Sequence, residues 1–308
     1  MQDLWLGNAN AWECDELGHL NVRYYLANAM QAIGTLADRL GLNEAFTRRA
    51  TATLLVRHIH IRFHAEARPG APLKIEGGVC HWDETSLDVL LIMRHVARDK
   101  ICATFRITLD HIAPHTGRPF EWPKRVRGVL DGFAVQIPDE AQPRGVDLSP
   151  APREDISLTK ADSLNMDVAG MGRFSHADTD VFDRMLPELT LGKVSDSAVN
   201  FHRGFPRMWR AHQSGNPVRI GNALLECRIH VYRYANAGQG YVMRSGLKAA
   251  NTKTRTLIHW LMDPITGAPL WTVEGIGCDM DLDARKLMPT EGEFLEELQD
   301  AVIDGLSI

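Results

Sequence analysis

The segment Trp12-Glu13-Cys14-Asp15-Glu16-Leu17-Gly18-His19-Leu20-Asn21-Val22-Arg23-Tyr24-Tyr25 delivers an aspartate, a glycine, a histidine and an asparagine to the start of a long apolar repeat. From Asn21 to Leu40 the residues Val22, Tyr25, Leu26, Ala29, Ile33, Leu36, Ala37 and Leu40 recur at helical spacing, and Gly41 is a natural stop. The tip of such a helix presents unpaired N–H groups and a partial charge of about +0.5, so a carbonyl oxygen resting there is polarised toward attack. Asp15, just upstream, is placed to attack that carbonyl or to activate water. The competing reading of the same aspartate is a plain helix N-cap.

Other residues offer weaker chemistry. His19 could donate to a substrate, tune Asp15, or only hold the loop through backbone carbonyls. Cys14 adjoins the segment, but nothing nearby in sequence activates it, and a lone cysteine is ordinarily a core residue. His58, His60 and His64 alternate along one strand face without a carboxylate or cysteine at ligand spacing, so no metal is expected there. Arg203, Arg207 and Arg210 would share a helix face able to receive phosphates, or form a solvated basic face. Thr85 and Thr254 stand at matching strand starts and carry little weight.

The elements that must position Asp15 follow in order. Strands are expected at Thr53 to Ala65, Ala71 to Trp82, Ser86 to Ala97 and Ile101 to Ile112, joined by short turns such as Pro69-Gly70, which makes a largely antiparallel meander. Leu87, Val89, Leu91 and Met93 share one face, as do Ile101, Ala103, Phe105, Ile107 and Leu109, the alternation of a sheet with one face in a core. Small residues at Ala27, Ala29, Ala32 and Gly34 would let the helix approach that face closely.

The plan occurs twice. Gly7 and Asp15 match Gly172 and Asp180 at an offset of 165, Ile59-His60 matches Ile229-His230 at 170, and Thr85, Met93 and Asp110 match Thr254, Met262 and Asp279 at 169. The paired histidines could meet about a pseudo-twofold axis or be inherited decoration. Second-copy strands are expected near 223–237, 240–251, 254–262 and 268–281, and a tail helix from Thr290, where Thr290 and Glu293 have capping-box spacing. Residues 128–152 carry four prolines and little periodicity, which reads as a surface linker between a first domain, 1–127, and a second, 153–308. The fold class is α+β.

The Asp15 segment resembles D-x-x-G-H-[hydrophobic]-N-x-x-x-Y, the signature of the 4-hydroxybenzoyl-CoA thioesterase-like branch of the hotdog superfamily, with Asp15, Gly18, His19, Leu20, Asn21 and Tyr25 in place. The resemblance implies two tandem hotdog folds, each a long central helix wrapped by a curved antiparallel sheet, and hydrolysis of an acyl-CoA thioester. It implies Asp15 as nucleophile or general base assisted by His19, Gly18 as the tight turn, N–H groups around Asn21 and Val22 as carbonyl donors, and Tyr25 beside the acyl pocket. In the second copy Asp180 is kept, but Asp183, Arg184 and Leu186 replace Gly18, His19 and Asn21, and Pro187 follows. That half is therefore expected as scaffold and pocket wall. The alternatives are a hotdog enoyl- or hydroxyacyl-thioester hydratase or dehydratase, and a non-catalytic acyl-thioester-binding protein.

Composition bounds the partners. The 308 residues are 44% hydrophobic and 24% charged with a net charge of -5, which gives no electrostatic reason to expect nucleic acid or an anionic membrane. No stretch approaches the roughly 20 apolar residues of a membrane span, and the start lacks the layout of a secretory signal, so a cytoplasmic protein is expected. Five widely spread cysteines argue against a disulfide framework. The expected partner is acyl-CoA, with further assembly into a homo-oligomer possible through sheet edges and no cofactor required.

Overall fold

The computed structural model describes residues 1–15, 17–215 and 220–308; Glu16 of the motif lies outside the described residues. The chain divides into two compact units, Met1–Pro143 with His176–Leu189, and Arg144–Ser175 with Thr190–Ile308. The division falls at Pro143, within the stretch expected as linker. The second Asp motif, which surrounds Asp180, is grouped with the first unit.

The first unit contains β1 (Gln2–Asn8), α1 (Val22–Arg39), β2 (Thr53–Phe63), β3 (Pro72–Trp82), β4 (Ser86–His95), β5 (Lys100–Ile112) and α2 (Lys124–Leu130). Its strands pair antiparallel in the order β1-β3-β4-β5-β2. Helix α1 lies against β1, β3 and β4 and buries Leu26, Ala29, Ile33 and Leu36, each larger side chain contributing about 1.5–3 kcal/mol. A β-carbon added at Gly34 would meet open space, so the close helix approach expected there does not exist, while Ala29 and Ala32 are fully covered. Gly41 ends the helix at φ +80°, which suits a residue without a side chain.

One face of this sheet meets α1, and part of the other is covered as well. Leu90, Ile92 and Ala141 form a buried cluster with Cys80, Ile101, Val135 and Ile137 against it. Ile101 belongs to this outer cluster, whereas sequence alternation assigned it to the face of Ala103 and Phe105. The β-bulge between Met93 and Arg94 inserts one residue opposite β4 and turns Ile101 over. The middle of the connector thus lies on the sheet: Val135 N–H donates to Val79 O at 2.9 Å, and Arg62 donates to the carbonyls of Asp139, Glu140 and Gln142, each at 3.0 Å.

The second unit contains α3 (Leu158–Ser163), β6 (Asp167–Arg173), most of α4 (Leu189–Ser197), α5 (Pro206–Gln213), β7 (Ile220–Val231), β8 (Gly240–Ala250), β9 (Arg255–Met262), β10 (Pro269–Asp281), β11 (Lys286–Leu287) and α6 (Glu293–Asp300). Its strands run antiparallel in the order β6-β8-β9-β10-β7, the order of the first unit, with β11 on the end of β10. Helix α4 has nine residues where α1 has 18, because Gly192, Val194, Ser195 and Ser197 are poor helix formers. Here Glu226 accepts from the N–H groups of Arg144 and Gly145 at 2.9 and 2.7 Å, and Arg228 donates to Asp147 O at 2.8 Å. The tail helix starts at Glu293 behind Gly292; Thr290 instead donates to Asp279 Oδ2 at 3.4 Å, so the expected capping box does not form.

Candidate active site

The lead-in to α1 is a closed loop built on Asp15. The Asp15 N–H donates to His19 O at 2.9 Å and the Gly18 N–H to Asp15 O at 3.0 Å, while Cys14 and Leu20 form an antiparallel bridge. Such a turn needs a left-handed residue, and Gly18 supplies it at φ +75°. The Asp15 carboxylate folds back into the loop, where Oδ1 accepts from Leu17 N–H at 3.0 Å and His19 N–H at 3.3 Å. His19 Nδ1 lies 3.6 Å from the same oxygen, and its Nε2 lies 3.3 Å from Glu66 Oε1. Burial pushes the Asp15 carboxyl up, but the His19 side chain and backbone and the Leu17 N–H together outweigh it, so the carboxyl sits below its ordinary range. It is an ionised carboxylate at neutral pH.

Asn21 is the N-cap of α1, its Oδ1 accepting from Arg23 N–H at 3.0 Å. The neighbouring amides are spent on tying the loop down: Leu20 N–H donates to Ala67 O, Asn21 N–H to Glu13 O and Tyr24 N–H to Asn21 O, at 2.8, 2.9 and 2.8 Å. The Val22 N–H has no acceptor among the described residues and is the main-chain donor left open at the helix tip. Asn21 therefore acts through its side chain as a cap.

Tyr25 is buried, stands edge-on to Phe63 with ring centroids 5.3 Å apart, and uses its hydroxyl as a clasp. It donates to Ala65 O at 3.3 Å and accepts from Ala67 N–H at 3.0 Å. Those two residues flank Glu66, so Tyr25 fixes the carboxylate that faces His19. Burial raises the Tyr25 hydroxyl above its ordinary range and keeps it protonated. Sequence reasoning missed Glu66, Ala67 and the Glu13 carbonyl; Glu66 follows a strand end, and no local periodicity links it to the helix tip.

The second motif folds the same loop. Asp180 Oδ1 accepts from Phe182 N–H at 2.8 Å and Arg184 N–H at 3.0 Å, Asp180 N–H donates to Arg184 O at 2.7 Å, and Thr179 bridges Met185. Asp183 takes the left-handed position at φ +59°. Arg184, at the place of His19, puts Nε and Nη2 on Asp180 Oδ2 at 3.0 and 2.7 Å. Pro187, at the place of Val22, has no N–H to offer.

Burial, with Asp15 and Glu13 beside it, raises the Cys14 thiol, and its Sγ donates to Asn10 O at 3.2 Å. His64 contacts Thr104 at 3.5 Å, and among the described residues no group of three or more His, Cys, Asp or Glu is placed to hold a metal ion. Arg203, Arg207 and Arg210 pair with Asp167 at 2.7 Å, Asp279 at 3.4 Å and Glu293 at 2.7 Å, so each guanidinium already has an acid. No helix among the described residues is long and apolar enough to cross a membrane.

Residues 9–130, which contain the Asp15 loop, α1 and strands β2 to β5, match the family model of the thioesterase-like superfamily. The fold over nearly the whole chain is one found in thioesterases. A structure from Lactobacillus plantarum, provisionally assigned as an oleoyl thioesterase, matches at TM-score 0.66 and 13% identity over 93% of this chain and 96% of that one. The 12:0-ACP thioesterase of Umbellularia californica matches at 0.65 and 10% over 89% and 92%, and an acyl-ACP thioesterase of Bacteroides thetaiotaomicron at 0.64 and 10% over 89% and 96%. No curated protein sequence matches the chain. The resemblance to hotdog thioesterases drawn from Asp15 to Tyr25 agrees with both the family match and the fold.

Proposed function

We propose that this protein is a thioester hydrolase that splits acyl thioesters, acyl-CoA first among them, into free acid and thiol at the Asp15 loop. The single observation that carries the reading is an ionised carboxylate held by two N–H groups and an imidazole directly before a helix tip whose Val22 N–H is open. The thioester carbonyl rests on Val22 N–H and is polarised by the helix. Asp15 then either attacks it, expelling the thiolate and forming a mixed anhydride that water hydrolyses to the free acid, or deprotonates the water that attacks the carbonyl and expels the thiolate; His19 orients Asp15. Two tandem hotdog units are supported by the shared strand order and the repeated Asp loop, and the Arg184-paired Asp180 supports a silent second site. The proteins of similar fold named for acyl-ACP substrates make the acyl carrier protein the other carrier to try.

Thiol release from a panel of acyl-CoA and acyl-carrier-protein thioesters tests the reading. Asp15→Asn, folded by circular dichroism, should lose about 10² to 10⁴-fold in kcat. A folded variant with undiminished release refutes the assignment. Turnover of enoyl thioesters without free thiol would instead mean hydration, and saturable binding without any turnover a carrier role.

A further inference from the structure

An oxyanion in an acyl-transfer site is held by convergent donors, and removing one of a pair slows such enzymes steeply. Around the tip of α1 the main chain provides one: Leu20, Asn21, Arg23 and Tyr24 have committed their N–H groups to Ala67 O, Glu13 O, Asn21 Oδ1 and Asn21 O, which leaves Val22. We propose, resting on the thioester-hydrolase reading above, that the Arg23 guanidinium is the second donor, so that the carbonyl oxygen sits between Val22 N–H and the Arg23 side chain.

Three observations converge on Arg23. Its Nε is shielded from solvent and has no hydrogen-bond acceptor among the described residues, although an N–H left in that state carries a desolvation cost and is ordinarily satisfied. The cation also stands in the first turn of a helix whose first turn has no acid, against the macrodipole's preference for negative charge there. That placement adds positive field where negative charge develops during attack. Finally, no carboxylate lies within salt-bridge distance of Arg23 among the described residues, and its contacts are the Tyr24 ring, 5.6 Å from the guanidinium carbon, and the field of Glu188.

Glu188 occupies the position that the 165-residue offset maps onto Arg23, and belongs to the same compact unit. Burial raises its carboxyl against the downward pull of its own backbone N–H and of Arg23.

The test compares wild type, Arg23→Met and Arg23→Lys in steady-state thiol release, with unfolding curves as the control for folding. Arg23→Met is expected to lose about 10² to 10³-fold in kcat with KM within about threefold, the pattern of a contact made only in the transition state. Arg23→Lys, which keeps the charge and loses the buried Nε–H, should fall between, and carries the test if Arg23→Met does not fold. Guanidinium ion added at non-denaturing concentration should restore part of the kcat of Arg23→Met and none of that of Asp15→Asn. A loss confined to KM, an unrescued kcat, or a kcat within threefold of wild type in the folded variants overturns the inference and leaves Asp15-dependent hydrolysis standing. Wild-type protein that releases no thiol from any carrier overturns both.

Discussion

Asp15 and Asp180, 165 residues apart, close the same loop with the same bonds, and differ in what faces the carboxylate: the His19 imidazole at Asp15 and the Arg184 guanidinium at Asp180. Two arginine nitrogens on Asp180 Oδ2 tie up the oxygen and the charge that a nucleophile or base must keep available. The loop is the same in both places, and the imidazole of the first is a guanidinium in the second.

Asp180→Asn is therefore expected to leave thiol release within about threefold of wild type, whereas Asp15→Asn nearly abolishes it. Rates measured side by side on the two purified variants decide the matter. Comparable losses in both would mean that the Asp180 loop takes part in turnover.

Gly18→Ala is expected to destabilise the protein by about 1–2 kcal/mol, because a β-carbon is disfavoured at φ +75° even though nothing crowds the position. The change also tilts the Leu17 and His19 amides that hold Asp15, so kcat should fall with stability. Urea titration gives the first quantity and thiol release the second; an unaltered midpoint would show that the turn has another conformation available.

Tyr25→Phe removes the hydroxyl that links Ala65 O to Ala67 N–H and leaves that buried amide without an acceptor, at a cost of about 1–3 kcal/mol. Equilibrium unfolding should register the loss, and amide exchange at Ala67 should accelerate. A protein as stable as wild type, with Ala67 still protected, would mean that Tyr25 is no clasp.

The second unit carries a pH dependence of its own. His259 is buried against Ser245 Oγ, 2.7 Å from its Nδ1, and burial lowers it from an ordinary 6.5 to about 4. The folded chain holds it neutral, and the unfolded chain takes up the proton below pH 6.5. Its stabilising share is thus full above pH 6.5 and is lost as the pH falls toward 4, by about 3 kcal/mol at most. Unfolding free energy measured between pH 7 and 4 should fall more steeply in wild type than in His259→Gln; parallel curves would sink the claim.

Much of this was readable from residue order, and the failures have physical causes. Helix α1 was placed within a residue at each end because Asn21 caps it and Gly41 stops it. The short edge strands β1 and β6 were missed: each has seven residues, with one glycine in β1 and two in β6, too little alternation to register. Ile101 was assigned to the wrong face because a bulge shifts register without leaving a mark in hydrophobic period. At the site, the loop bearing Asp15, Gly18 and Asn21 was legible because its bonds are local. Glu66 and the Tyr25 clasp were not, since they depend on where β2 delivers the chain 40 residues later.

The grip on the connector bears on how the protein is handled by proteases. Arg62 draws the carbonyls of Asp139, Glu140 and Gln142 onto one guanidinium, and Glu226 gathers two adjacent amides onto one carboxylate. A protease must pull its substrate out as an extended ribbon, and a stretch whose backbone is already occupied by charged side chains resists that pull. Residues 139–147, irregular and cleavable on paper, should outlast far more ordered-looking surface turns in a digest.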